Sequence, residues 1–402
     1  METRTVPMIQ GEWREQFLPL IQAFKANFTE RREVGASLCV MLNGETLVDV
    51  WAGLADPDTG KAWERDTIGI VFSNTKPATA LCLHLLADRG ELRLDDPVSR
   101  FWPEYGTVGK SETTLRMLLD HSAGLPAVRE ALPDGAAFDW AEMTDRLARE
   151  GPFWKPGTRV GYHGLTFGWL VGEAVRRVTA QSPGSFFRQE IAKPLGLDFW
   201  IGLPESEEHR VAPVIPFRPD SDTPQGAFER ALVAEPDSAT GLYFRNTGGW
   251  RPSGFNSRRG RAAEIPAANG ITNARGLAGL YASLAGRSPG GAPDLLSSKA
   301  LAEAIQVTSA THEDVTLRVP TRFAAGFMRS MDNRGRNLDS VVLSPTAFGH
   351  VGAGGSIGFA DPALGLAFGY TMNQMGSGVL LNERGQSLVD TLYRTLTGEP
   401  ST

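Results

Sequence analysis

The chain is poor in the residues that mark several protein classes. Its 402 residues contain two cysteines, Cys39 and Cys82, which form no C-x-x-C pair. A disulfide framework and a thiolate metal site are therefore excluded, and a reducing compartment fits. Histidine is scarce as well: of six, His121 and His163 belong to no H-E-x-x-H or H-x-H pair, so each reads as a structural histidine and no metal or organic cofactor is implied. Long apolar runs are missing. The most apolar short stretch, 78–87, is interrupted by His84 and is far too short to span a bilayer. The opening METRTVPMIQGEWREQF lacks the apolar segment of a signal peptide, so a cytoplasmic protein without membrane segments is expected. No block of like charge dominates either. Forty basic against 46 acidic residues leave a net charge of -6, which argues against a nucleic-acid partner.

What is present suits a globular enzyme. At this length, with 41% hydrophobic residues, the chain can bury a large core and divides by expectation into two or three domains. Residues 8–32 place Ile9, Trp13, Phe17, Ile21, Phe24 and Phe28 at helical spacing, which predicts an N-terminal helix. Two β-rich runs, 36–42 and 46–53, flank Asn43-Gly44, the strongest short-range hairpin signal. A third extended run, 67–72, leads into a helix opened by Ser73 and stopped by Gly90. From about 101 to 267 the pattern is mainly helical, clearest in TLRMLLDHSAGLP, 140–150 and LTFGWLVGEAVRRV. Within it, 204–266 is rich in Pro, Gly, Ser and charge and reads as disordered or as a cover over a site. Later runs predict a helix at 274–285, strands at 322–330, 356–361 and 365–373, and a C-terminal helix at 380–396. Strands near both ends around a helical middle predict an α+β fold, an antiparallel sheet flanked by helices. The expected domains are 1–100 with 268–402, and a helical insertion at 101–267.

Three short segments could carry chemistry. In S-N-T-K, Ser73 and Lys76 stand at i and i+3 on one helix face, so the amine reaches the hydroxyl. A desolvated lysine there can act as the base for the serine, and the helix start favours an oxyanion. The tetrapeptide alone is more often an ordinary helix start. Tyr162, in Gly161-Tyr162-His163-Gly164, lies on a loop before a helix, where a phenol could join such a pair. The run from His350 to Ser356, HVGAGGS, puts glycines beside a strand edge, where substrate can approach the backbone.

Taken in order, S-N-T-K, L-L-D-H-S-A-G-L-P, G-Y-H-G, I-P-A-A-N-G and H-V-G-A-G-G-S-I-G-F closely resemble the serine β-lactamase and penicillin-binding-protein-like superfamily. The similarity is to the class C β-lactamase branch, and within it to the family VIII carboxylesterases. The resemblance implies a β-lactamase-like fold and an acyl-enzyme on Ser73, with Lys76 and Tyr162 handling protons. It implies an oxyanion hole from the backbone N–H groups of Ser73 and Ala353, and substrate contacts at His350, Gly352, His163 and Gly164. Two departures stand out. Gly164 replaces the asparagine of β-lactamases in this branch, and His350 replaces the lysine that meets a substrate carboxylate. Both weaken recognition of penicillins and cephalosporins, so a small-molecule ester is the expected substrate.

Rival readings exist. Residues 354–358, G-G-S-I-G, satisfy the G-x-S-x-G elbow of α/β-hydrolases, which would make Ser356 the nucleophile, but no histidine follows His350. A β-lactamase, an acyltransferase or a D-aminopeptidase-like enzyme would show the same trio, whereas a non-catalytic relative would usually lack one of its members. The cluster Arg258, Arg259 and Arg261 reads as a solvated face rather than an anion site. Phe153, Trp154, Trp169, Trp250, Phe255 and Phe327 are candidates to line an acyl pocket.

Overall fold

The Asn-Gly pair forms its turn with both residues left-handed, φ +51° at Asn43 and +81° at Gly44, the twist that a two-residue hairpin needs. It joins β2, Gly35–Leu42, to β3, Glu45–Asp56, after a short β1, Gln10–Trp13. The computed structural model from which this fold is described covers residues 7–219, 226–286 and 294–398. Further strands are β4 (Lys61–Ala62), β5 (Ile68–Ile70), β6 (Phe199–Ile201), β7 (Val211–Ala212) and β8 (Gly270–Thr272). The C-terminal part supplies β9 (Val307–Thr311), β10 (Thr321–Ala324), β11 (Met328–Arg329), β12 (Phe348–Val351), β13 (Ile357–Asp361) and β14 (Leu366–Met372).

The large sheet runs β1-β3-β2-β14-β13-β12-β11-β10-β9, with β4 added to β3, and all its pairs are antiparallel. Strands from the two ends of the chain thus meet at its centre, where Leu38 lies opposite Tyr370. Side chains alternate across β2. Leu38 and Val40 join the cluster that holds Phe24 of the helix Leu18–Glu30 and Leu388 and Leu392 of the helix Glu383–Thr397. Cys39 and Met41 face the other cluster, with Leu277 of the helix Ala274–Ala282. Both cysteines are buried and free.

The segment 101–267 contains helices at Leu115–Leu119, Trp140–Arg149 and Thr166–Thr179, then several short ones. It is not purely helical. β6 and β7 lie within it and complete a small sheet ordered β6-β8-β5-β7. One apolar cluster continues from Leu81 through Leu118 and Trp169 to Leu277 and Phe327, crossing both ends of the segment. The stretch 204–266 holds short helices, among them Ala227–Ala234 and Ala239–Arg245; 220–225 lies outside the described residues.

Three expectations are corrected. Residues 10–13 form β1 on the edge of β3, and the helix begins only at Leu18. Trp13, placed on its buried face by the periodicity, is 39% exposed. The helix expected through LLDHSAGLP ends at Leu119, because His121 takes a left-handed φ of +65°. The single strand expected over 322–330 is a tight hairpin of β10 and β11 turning at Gly326, φ +90°.

Candidate active site

β5 delivers the chain to a turn over 71–74 and then to the helix Thr75–Asp88, one residue pair later than Ser73 itself. Phe72 enters that turn at φ +47°. Its N–H groups step into the helix, Asn74 to Val71 O, Thr75 to Phe72 O and Lys76 to Ser73 O, at 2.9–3.2 Å. Residues 75–86 are all buried, so the helix is a central rod, and Ser73 is half-exposed at its mouth. Gly90, φ +76°, ends it by donating to Ala87 O.

Lys76 is fully buried. Its Nζ lies 3.1 Å from Ser73 Oγ and donates to Gly164 O at 2.7 Å and Ala267 O at 3.1 Å. It also sits 4.6 Å from the centroid of the Tyr162 ring. Burial pushes the amine well below the ordinary lysine range. The Tyr162 hydroxyl goes the other way. Burial foremost, then the neighbouring Tyr243, raise it well above 10, against a hydrogen bond with Ser73 that pulls it down. The structure therefore brings Ser73, Lys76 and Tyr162 together, with burial disfavouring the charged form of both the amine and the phenol.

Other side chains place Tyr162. Its N–H donates to Asp314 Oδ1 at 2.9 Å, and that buried carboxylate also takes the N–H groups of Thr316 and Leu317. The ring stacks on Phe323 at 6.0 Å and 16°, and lies 4.8 Å from the His121 ring. Asp314, Phe323 and His121 went unnoticed as site residues in the sequence, because nothing local ties them to Tyr162.

His163 does not face substrate. It is fully buried, its Nε2 accepts from Leu125 N–H at 2.9 Å, and its Nδ1 donates to Gly161 O at 2.7 Å. Both ring nitrogens are used inside the fold, and burial holds the ring neutral, down at about 3. Gly164 contributes its carbonyl. A Cβ there would fall 1.8 Å from Cε2 of Tyr243, whose ring fills the space beside it. His350, on β12, is 2% exposed. Its Nδ1 lies 2.7 Å from Val351 O, while Nε2 has no hydrogen-bond partner among the described residues. Burial and the nearby Lys76 lower its pKa to about 3, so no cation stands at this position at neutral pH.

After β12 the chain turns through Gly352, Ala353 and Gly354. Ala353 is exposed, and no backbone hydrogen bond among the described residues uses its N–H or that of Ser73. Ser356 is 1% exposed, and its Oγ is held between Val71 O at 3.2 Å and Asn74 Nδ2 at 3.0 Å. Strand β13 follows it instead of a helix. G-G-S-I-G is therefore not a nucleophile elbow.

Of the aromatic candidates, Trp169 lines a narrow cleft with Val128, Leu165 and Tyr243. Trp154, Trp250, Phe255 and Phe327 are core. The arginine cluster is engaged: Arg258 and Arg261 both meet Glu208, and Arg259 lies over Phe138. Among the described residues no group of three His, Cys, Asp or Glu could hold a metal ion, and no helix is long and apolar enough to cross a membrane.

The whole chain has known relatives. An esterase/beta-lactamase of Mycobacterium tuberculosis, LipL, is 35% identical over 92% of this chain and 83% of its own. The crystal structure of a family VIII carboxylesterase superposes with a TM-score of 0.86 at 36% identity, covering 96% of this chain and 100% of the other. A penicillin-binding protein homologue from Caulobacter crescentus matches equally well, at 0.86 and 34%, over 96% and 100%. With the Beta-lactamase family model matching residues 20–392, the chain belongs to that family.

Proposed function

We propose that the protein hydrolyses short-chain carboxylic esters through an acyl-enzyme on Ser73. The observation that carries this reading is the contact of the buried Lys76 Nζ with Ser73 Oγ at 3.1 Å. Nζ also donates to Gly164 O and Ala267 O; once the amine is deprotonated, two protons serve those carbonyls and the lone pair is left for the Ser73 hydroxyl. Lys76 then takes the Ser73 proton as Oγ attacks the ester carbonyl. The N–H groups of Ser73 and Ala353 donate to the oxyanion, each worth about 3–4 kcal/mol in comparable sites. Tyr162, kept protonated by burial, gives its proton to the departing alkoxide and is recharged from Lys76. Water enters by the reverse relay and releases the acid.

Substrate choice follows from what the site lacks. No side-chain amide exists at Gly164, and His350 is neutral, so a β-lactam's acylamino and carboxylate groups go unmatched. Charged hydrogen bonds of this kind are commonly worth about 1.5–3 kcal/mol. A small uncharged ester loses nothing by their absence. The relatives named as esterase and carboxylesterase support the same choice. We place the protein in the cytoplasm on its two free, buried thiols, and treat 101–267 as an insertion domain within which 204–266 covers the site.

A panel of p-nitrophenyl esters and nitrocefin tests this. The butyrate ester should exceed nitrocefin in kcat/KM, and a fluorophosphonate adduct should map to the Ser73 peptide. Equal or better nitrocefin turnover would make the protein a β-lactamase.

A further inference from the structure

The two N–H groups assigned to the oxyanion hole sit on separate pieces of chain. Ser73 lies in the turn before the helix Thr75–Asp88, and Ala353 in the turn between β12 and β13. Their separation is set by whatever joins those turns. One pair of buried side chains does so. Asn74, fully buried, donates through Nδ2 to Ser356 Oγ at 3.0 Å and accepts at Oδ1 from Gly358 N–H at 2.9 Å. Ser356 passes the link on, donating to Val71 O at 3.2 Å.

The backbone closes tightly around this link. Gly352 N–H donates to Ser356 O at 2.7 Å, and Gly355 N–H to Gly352 O at 3.0 Å, so the turn carrying Ala353 is folded onto Ser356. A Cβ on Gly352 would lie 2.2 Å from both Ser356 Oγ and Val71 O. The two turns thus touch at a position where only glycine fits, with the serine hydroxyl bridging them. A preorganised oxyanion hole needs this: donors fixed about 2.7–3.1 Å from where the charge will develop, with no reorganisation at the moment of reaction.

We infer that Asn74 and Ser356 are positioning residues for the oxyanion hole, a two-residue clamp that fixes the Ala353 N–H relative to the Ser73 N–H. The inference rests on the proposed acyl-enzyme chemistry. It also gives Ser356 a role in place of the nucleophile's. The clamp touches no reacting atom, and being buried it is stiff, since hydrogen bonds in a low-dielectric interior are strengthened and costly to leave unmade.

The test compares wild type with Ser356→Ala, Asn74→Ala and the double variant. Each is read for kcat and KM on p-nitrophenyl butyrate and for inhibition by butylboronic acid, whose tetrahedral adduct on Ser73 places an oxygen in the hole. Each single variant should lose about 10- to 100-fold in kcat with KM changed less than threefold. The boronic acid Ki should rise by the same factor. The double variant should be no worse than the weaker single, because both remove one link. Ser356→Cys, similar in size with a weaker donor, should fall between, and it carries the test if Asn74→Ala does not fold. A lowered melting temperature with kcat and boronate affinity unchanged would overturn the clamp, as would additive losses. A wild type that hydrolyses no ester and binds no boronic acid would instead sink the esterase reading.

Discussion

The ring of Tyr243 stands where a side chain on residue 164 would go, so the two positions cannot both be filled: a Cβ on Gly164 falls 1.8 Å from Tyr243 Cε2. Restoring an asparagine there is therefore not a single change. Gly164→Asn should lower stability by about 1–3 kcal/mol or more, as overpacking does, and reduce ester turnover. Gly164→Asn with Tyr243→Ala should regain the lost stability and raise nitrocefin turnover relative to the butyrate ester. Melting curves and the ratio of the two kcat/KM values check this; a fully stable single variant would contradict the geometry.

Activity should follow the neutral fraction of Lys76. With that amine held well below 10.5 by burial, kcat/KM should rise with pH along one acid limb and level off well before pH 10. His350 and His163, held at about 3, add no inflection between pH 5 and 8. Lys76→Arg should be inactive throughout, since a guanidinium stays charged.

The same burial has a stability signature with a fixed sign. A lysine whose folded pKa lies below its unfolded one binds fewer protons when folded, so it costs stability at neutral pH. The cost shrinks as pH rises toward 10.5. Lys76→Met removes that dependence. Its melting temperature relative to wild type should be higher at pH 7 than at pH 10, and a difference growing with pH would refute a neutral Lys76.

A buried ion pair should show strong coupling. Arg384 Nη1 donates to Glu33 Oε1 at 2.8 Å, with the side chains 5% and 0% exposed. Arg384→Leu leaves the buried Glu33 without its cation, although the Tyr370 hydroxyl and Val34 N–H still donate to it, and should cost about 3–5 kcal/mol. Adding Glu33→Leu should recover much of it. Urea unfolding of the three variants measures the cycle.

How much of this was legible beforehand depended on sequence distance. The Asn43-Gly44 hairpin and the Ser73 to Lys76 spacing are local, and the turn and the 3.1 Å contact both follow from them. Tyr162 was singled out only beside the Ser/Lys pair. Asp314 and Asn74 act through hydrogen bonds spanning 152 and 282 positions, and Tyr243 through a ring against a glycine, so no window of sequence contains them. The β1 error has another cause. Phe17, Ile21, Phe24 and Phe28 do belong to a buried helical face or its entry, and Ile9 and Trp13 happened to continue the period upstream, where the chain pairs with β3 instead. His163 was misplaced because it sits between two site residues, and adjacency in sequence did not decide which way its ring turned.

The left-handed Phe72 has a consequence for anyone who would trim this protein. Its ring meets Phe255 edge-on at 5.5 Å, and Phe255 in turn packs on Trp250 at 5.4 Å. The residue just before Ser73 is thereby braced by 204–266, the stretch that reads from sequence as disordered or as a cover over a site. Loop shortening or chimeric exchange in that region has to preserve the Phe255 ring. Otherwise the alteration travels through one aromatic contact into the backbone angle that aims the serine.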